Sequence, residues 1–411
     1  MKRVVVTGLG AITPLGNDPE SFFNGLCAGR SGVRKLREPW AASLVLPYAA
    51  CVDCDFDSHF SKLRRVGLDR VTMLALLAAR QAVAASGISF SAELGEETGI
   101  FWGTGMGGAT ALESAYRDLL VAQAPRIKPT TIVMIMNNAA TGQIGIEFAI
   151  RGPSYTYSSA CSSSAVAIGE AYRAIGGGFI RAAVVGGAEA LLTQGAIKAW
   201  ESLGATARAQ ADHPESSCRP FAADRSGFIL GEGAAALVLE EESAARKRGA
   251  PILAEIVGYG NTTDASHITQ PDAGGQCRAM RQALAGAKLQ PQQLGHINAH
   301  GTGTKVGDPV ETNAIKQVFG EHAAHIPISA TKALHGHLMG AAGALEFIAA
   351  LEALRTRVVP PTAYLLHKDP ECDLDYVPLE SRRLDELDAV MSNSFGFGGN
   401  NAVLVASRYA P

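Results

Sequence analysis

Cys161 stands in the stretch Tyr155-Thr156-Tyr157-Ser158-Ser159-Ala160-Cys161-Ser162-Ser163-Ser164-Ala165. Residues up to Ser158 alternate as in a strand, whereas Ala165, Val166, Ile168, Ala171, Tyr172 and Ile175 recur at helical spacing. The thiol therefore falls where a strand turns into a helix. The first turn of a helix has unpaired N–H groups and the positive end of the macrodipole, and both favour a thiolate over a thiol. Three later stretches carry compatible groups. Asn298-Ala299-His300-Gly301-Thr302-Gly303-Thr304 places a histidine at a strand end, ahead of small hydroxyl residues. Lys332-Ala333-Leu334-His335-Gly336-His337-Leu338 places another at the opening of an Ala/Gly-rich helix. Asn393-Ser394-Phe395-Gly396-Phe397-Gly398-Gly399-Asn400-Asn401 is a late loop whose glycines let backbone N–H groups approach a ligand. A thiol and two imidazoles on glycine-flanked loops suit thioester chemistry. The thiolate takes an acyl group, neutral imidazoles stabilise an enolate on a second thioester, and backbone N–H groups hold an oxyanion.

The elements that must position these groups alternate between strand and helix, which predicts α/β layers. Val4 to Thr7 reads as a buried strand, residues 66–86 as a helix stopped by Gly87, and residues 99–103 and 181–189 as further strands. A polar helix from Glu240 to Arg248 ends at Gly249-Ala250-Pro251, which marks a boundary between residues 1–250 and 251–411. The second half alternates again: a strand at 252–260, a helix from Gln276 to Ala287, a strand from His296 to Ala299 and helices from Pro309 to Phe319 and Leu338 to Arg355. No convincing repeat relates the halves.

Composition excludes several classes. The 411 residues are 47% hydrophobic and 18% charged, with a formal net charge of -3, which describes a globular chain and gives no support to nucleic-acid binding. Seven scattered cysteines, an odd number, do not form a disulfide framework and point to a reducing, cytoplasmic setting. The chain enters its first strand at once, and no apolar run approaches the roughly 18–20 residues of a membrane span. Gly8-Leu9-Gly10 lacks the third glycine of a dinucleotide fingerprint, and Thr13-Pro14 is a poor helix opening. Cys51-Val52-Asp53-Cys54 has the spacing of half a zinc site without a second half, so no metal is expected. His267, His296, His322, His325 and His335 read as satisfied or exposed side chains.

The four blocks, Ala160-Cys161-Ser162-Ser163-Ser164, His300-Gly301-Thr302-Gly303-Thr304, Lys332 with Gly336-His337, and Asn393 to Gly399, resemble the signature of β-ketoacyl-[acyl carrier protein] synthases of the elongating, Cys-His-His type. The resemblance runs from Val4 to Asn401. It implies a thiolase-like fold of two similar halves in five αβαβα layers, and an acyltransferase that condenses an acyl chain with malonyl-carrier. Cys161 would be the nucleophile, and His300 and His337 would serve decarboxylation. Lys332 would be the supporting lysine, pairing with Glu346, and Asp308 would be a further support. Cys161 and Phe397 would supply the oxyanion hole, with Phe397 as gate. Thr302, Thr304, Phe395 and Gly398 would line the substrate path. The resemblance implies no cofactor beyond the 4'-phosphopantetheine that arrives on the acyl carrier protein. That acidic partner makes Lys62, Arg64, Arg65, Arg126 and Lys128 a docking patch.

The resemblance also implies a homodimer, or a heterodimer with a homologous chain-length subunit. His335 two residues before His337, and Asn400 in the late loop, depart from the fatty-acid pattern. The wording of the first two blocks also resembles polyketide ketosynthases, so a polyketide or aryl polyene pathway is the alternative to fatty-acid elongation. A non-catalytic chain-length subunit would lack Cys161. A degradative thiolase would carry a second cysteine in a Gly-rich late loop, where Phe397 stands and from which Cys372 is absent. A starter-type synthase would pair Cys with His and Asn.

Overall fold

The computed structural model describes residues 1–210 and 212–411. Strand β1 (Val4–Ile12) is buried along its whole length, as its unbroken run of apolar, glycine and threonine residues requires. With β2 (Thr98–Gly103), β3 (Ser154–Tyr157), β4 (Ala182–Glu189) and β5 (Gly233–Glu241) it forms a half-sheet in the order β1-β5-β4-β2-β3. Strands β6 (Ala254–Thr263), β7 (His296–Asn298), β8 (Ile328–Ser329), β9 (Ala389–Gly396) and β10 (Asn400–Ser407) form a second in the order β6-β10-β9-β7-β8. The two orders are one permutation. In each half the first strand pairs antiparallel with the fifth and the fifth antiparallel with the fourth. The second strand then pairs parallel with both the fourth and the third. The half-sheets join where Val4, Val5 and Val6 pair antiparallel with Ile256, Glu255 and Ala254.

Helices α1 (Arg70–Ser86) and α2 (Ala139–Phe148) cover the outer face of the first half-sheet. Helix α3 (Ser163–Gly176) lies on its inner face. Helix α4 (Ala273–Ala287), with α5 (Gly307–Phe319) beside it, covers the outer face of the second, and α6 (Ala342–Thr356) packs on α3 between the half-sheets. These are the five layers of a thiolase-like fold. Apolar cores follow the layering: Leu74 and Ala78 lie in one outer core, Met280 and Ala283 in the other, and Ile168, Phe347 and Ile348 between the half-sheets. Among the described residues no helix is long and apolar enough to cross a membrane.

The structure exposes a short repeat that sequence comparison does not. A Cβ at Gly8 or Gly10 would stand 2.0 Å from the carbonyl oxygen of Ala82 or Ala78 on α1. One at Gly258 or Gly260 would stand 2.1 or 1.9 Å from that of Ala283 or Ala279 on α4. Gly-x-Gly in the first strand of each half is therefore a bed for an outer helix.

Several element boundaries differ from expectation: the helix expected from Gln276 opens at Ala273, the strand expected at 252–260 spans Ala254–Thr263, and the helix expected from Pro309 opens at Gly307. Helix α1 opens at Arg70 because Asp69 caps it by accepting the Val71 N–H, and Gly87 ends it in the left-handed conformation, at φ 63°. The polar helix spans only Glu242–Lys247, since Glu240 and Glu241 complete β5. The Ala/Gly-rich helix opens at Ala342 because Met339, at φ 43°, breaks the turn ahead of it.

Candidate active site

Cys161 follows β3, His300 follows β7, Lys332 and His337 follow β8, and Phe395 to Gly399 turn β9 into β10. All of them lie at the carboxyl ends of strands, where open α/β sheets build their sites. By the repeat, β3 and β8 are equivalent strands, so Cys161 and His337 lie ahead of the equivalent central helices α3 and α6. The Ser164 hydroxyl accepts the Ala344 N–H at 2.9 Å and ties the two helix openings together. Ala160 is held at φ 52°, a strained conformation for a residue with a Cβ, and this turn presents Cys161. The late loop presses on the same turn: a Cβ on Gly396 would stand 2.8 Å from the Ser159 carbonyl oxygen and 3.2 Å from the Cys161 nitrogen.

His337 Nε2 lies 3.0 Å from Cys161 Sγ, across 176 residues of sequence. The rings of His300 and His337 are 5.6 Å apart and nearly perpendicular, and the Phe397 N–H is directed at the thiol. Hydrogen bonding assigns both tautomers. The Met339 N–H donates to His337 Nδ1 at 3.2 Å, and Lys332 Nζ stands 3.4 Å from His300 Nδ1. Both Nδ1 atoms therefore face donors, which leaves the proton on each Nε2. Burial and the Lys332 charge hold both imidazoles well below their ordinary pKa, so they are neutral.

Sγ and one nitrogen from each ring lie within 4.8 Å of one another, a grouping compact enough for a metal ion. The tautomers do not fit one. A ligating imidazole donates its other N–H to an acceptor, whereas here each second nitrogen faces a donor.

The helix end was expected to favour the thiolate. Instead burial pushes the Cys161 thiol up to about 11, and the Lys332 charge and the Phe397 N–H offset this only in part. The resting nucleophile is a thiol, held on a 3-10 turn (Ala160–Ser162) just ahead of α3.

Fully buried Lys332 pairs with Glu346 at 2.5 Å and donates to the His300 carbonyl oxygen. Asp308 accepts the N–H groups of Gly303 at 3.1 Å and Phe221 at 2.7 Å, which shapes the loop of Thr302 and Thr304. The two threonine hydroxyls are 3.1 Å apart. Together with Cys161, His300, His337 and Phe395 they line a cavity of about 810 Å³. Its apolar wall carries Phe228, edge-on to both Trp200 and His337, and Trp200 also stacks on Phe397.

Residues 1–245 match the family model "Beta-ketoacyl synthase, N-terminal domain" and residues 253–365 match "Beta-ketoacyl synthase, C-terminal domain". The chain belongs to the beta-ketoacyl synthase family. It is 39% identical over 414 residues to 3-oxoacyl-[acyl-carrier-protein] synthase 2 of Staphylococcus aureus (strain COL), with 99% of each chain covered. It is 40% identical to the protein of that name from Synechocystis sp., covering 99% of this chain and 98% of the other. Among solved structures it is similar to a beta-ketoacyl synthase from Burkholderia phymatum STM815, with a TM-score of 0.92 and 36% identity. It is also similar to the ishigamide ketosynthase/chain length factor, with a TM-score of 0.91 and 34% identity. Both matches cover 100% of each chain.

Within this beta-ketoacyl synthase the other expected residues are placed unevenly. Gly398 does not line the cavity: it turns at φ 81° and commits its N–H to the Ile268 carbonyl oxygen. Of the basic residues, Lys62, Arg126 and Lys128 are exposed. Arg64 is paired with Glu147, which also takes Arg80, and Arg65 is paired with Asp57. The two basic segments lie side by side, joined by the bond from the Thr130 hydroxyl to the Val66 carbonyl oxygen. Two exposed basic residues that sequence reasoning missed, Arg208 and Lys305, line the cavity. It also missed Glu311, whose carboxylate accepts the N–H groups of His300 at 2.8 Å and Gly301 at 2.9 Å and the amide of Asn393. Spacing held the signal: Glu311 follows Asp308 by three residues, on one face of the first turn of α5.

Proposed function

We propose that this chain joins an acyl group held on Cys161 to malonyl-acyl carrier protein by decarboxylative Claisen condensation, giving β-ketoacyl-acyl carrier protein in fatty-acid elongation. In the first step Sγ bonds to the acyl carbon, the bond from that carbon to the pantetheine sulfur breaks, and the Sγ proton passes to the departing sulfur. The N–H groups of Cys161 and Phe397 hold the oxyanion. In the second step the malonyl C–C bond breaks with loss of carbon dioxide, and the electron pair forms an enolate held by His300 and His337. That carbon attacks the acyl carbon on Cys161, the C–Sγ bond breaks, and the departing thiolate takes up a proton from water to restore the thiol. The observation that carries this reading is the pair of neutral imidazoles grouped with Sγ, with one nitrogen of each ring and Sγ within 4.8 Å of one another and His337 Nε2 facing Sγ at 3.0 Å. A donor pair of this kind stabilises an enolate without a strong base. The Lys332–Glu346 pair holds His300 in that tautomer.

The substrates ride on the phosphopantetheine arm of the carrier, which enters past Thr302 and Thr304 and docks beside Lys62, Arg126 and Lys128. Residues 1–250 and 251–411 act as two halves, each supplying part of the site. A second subunit sits on the edge strand β3, whose exposed Tyr155 adjoins Tyr157 and Phe101. The test incubates the protein with malonyl-carrier and a panel of acyl-carriers and reads product masses. β-Ketoacyl products two carbons longer than the saturated acyl-carrier supplied support elongation; no condensation product with any acyl-carrier overturns it.

A second reading, a ketosynthase of a polyketide or polyene pathway with a chain-length partner, is favoured by the similarity to the ishigamide ketosynthase/chain length factor. It predicts condensation only once a homologous partner subunit is added.

A further inference from the structure

Glu189, the last residue of β4, is fully buried, and the reaction steps above leave it unused. Its Oε2 accepts the N–H of Gly105 at 2.7 Å and of Gly340 at 2.9 Å. Its Oε1 accepts the N–H of Met106 at 3.0 Å, and the Thr104 hydroxyl stands 3.4 Å from the same oxygen. The groups that favour its charged form are thus neutral donors. A carboxylate buried without a counter-ion is costly unless its lone pairs are occupied, and here a nest of backbone N–H groups occupies them. The chain is built to allow this approach. A Cβ at Gly105 would stand 2.8 Å from Glu189 Oε2, and one at Gly340 would stand 2.3 Å from the Gly105 nitrogen.

Glu189 therefore clamps the segment after β2 to the segment after His337. Gly340 directly follows Met339, the residue held at φ 43°. The Met339 N–H sets the His337 tautomer, and its sulfur lies 4.0 Å from Cys161 Sγ. On the other side Met106 is 43% exposed.

We propose that Glu189 is a positioning residue of the condensing site: by holding Gly340 it fixes Met339, and Met339 keeps His337 as the Nε2–H tautomer aimed at Cys161. The role rests on the function given to His337 above. Glu189→Gln keeps the shape but turns one acceptor oxygen into an NH₂ group facing backbone N–H donors, and Glu189→Asp keeps the charge but withdraws it by one methylene.

The full-length variants are compared with the unaltered protein by thermal unfolding, then by three readouts. These are the rate of Cys161 alkylation by iodoacetamide, the imidazole ¹⁵N shifts of His337, and kcat and KM with malonyl-carrier. For folded Glu189→Gln we expect mixed His337 tautomers, an alkylation rate changed about tenfold, and kcat lowered about ten- to hundredfold at a KM within about twofold. Glu189→Asp should recover part of each. A folded Gln variant with the original tautomer and alkylation rate overturns the proposal. If that variant does not fold, the same result in Glu189→Asp overturns it. Alkylation and ¹⁵N shifts need no carrier substrate, so an unaltered protein that fails to condense refutes the function without deciding the role of Glu189.

Discussion

His337→Ala separates the two halves of the reaction. His337 contributes one of two Nε2–H donors beside Cys161, and its ring packs edge-on to Phe228 at 5.0 Å and to His300 at 5.6 Å. Removing one preorganised donor to a developing oxyanion lowers kcat about 10²–10³-fold. We therefore expect decarboxylation of malonyl-carrier to fall by that factor. Acylation of Cys161 draws instead on the backbone N–H groups of Cys161 and Phe397, so its rate should stay within about tenfold. Carbon dioxide release from malonyl-carrier alone measures the first, and the mass of the acylated protein measures the second. His337→Gln fills the same space and returns an N–H at similar reach, so it should recover part of the decarboxylation. A folded His337→Ala that decarboxylates within about threefold of the unaltered protein refutes the enolate role. Equal loss of both steps refutes the separation.

Cys161→Ala should keep the fold and abolish both covalent labelling by acyl-carrier and condensation, read by intact mass. Reversing the charge of Lys62, Arg126 or Lys128 should raise KM for carrier-bound substrate more than reversing Arg64 or Arg65, whose charges are already paired; equal effects would return the patch to general electrostatics. Burial raises Glu189, Asp308 and Glu346 to about 7, so the stability their neutral forms contribute is present at low pH and lost as pH rises through 7. Depressed His296, His300, His335 and His337 act oppositely as pH rises to about 6.5, so the urea midpoint should fall from about pH 6.5 to 8, and Glu346→Gln should flatten that slope. Gly260→Ala should lower the urea midpoint sharply, because its methyl would meet backbone on α4, whereas Gly204→Ala meets nothing within 4 Å and bears only the strain of φ 72°.

Local chemistry was legible in the residues themselves. Cys161 at a strand-to-helix junction, helices that end at Ser86 and Ala287, and the order of the four blocks follow from spacing, because periodicity and glycine conformations act over a few residues, although the expected starts at Val66 and Gln276 moved to Arg70 and Ala273. The two-half, five-layer fold came through family resemblance, since the Gly-x-Gly beds that mark the repeat between the halves are too short to stand out in sequence. Tertiary structure alone decided the rest. It set the 3.0 Å between Cys161 and His337, the donors that fix both tautomers, the neutralisation of Arg64 and Arg65, the supporting place of Glu311 and the buried nest around Glu189. It also buried Cys161, which pushes the thiol up to about 11. The reason is physical: burial and partner geometry depend on groups far apart in sequence that meet only once the layers close.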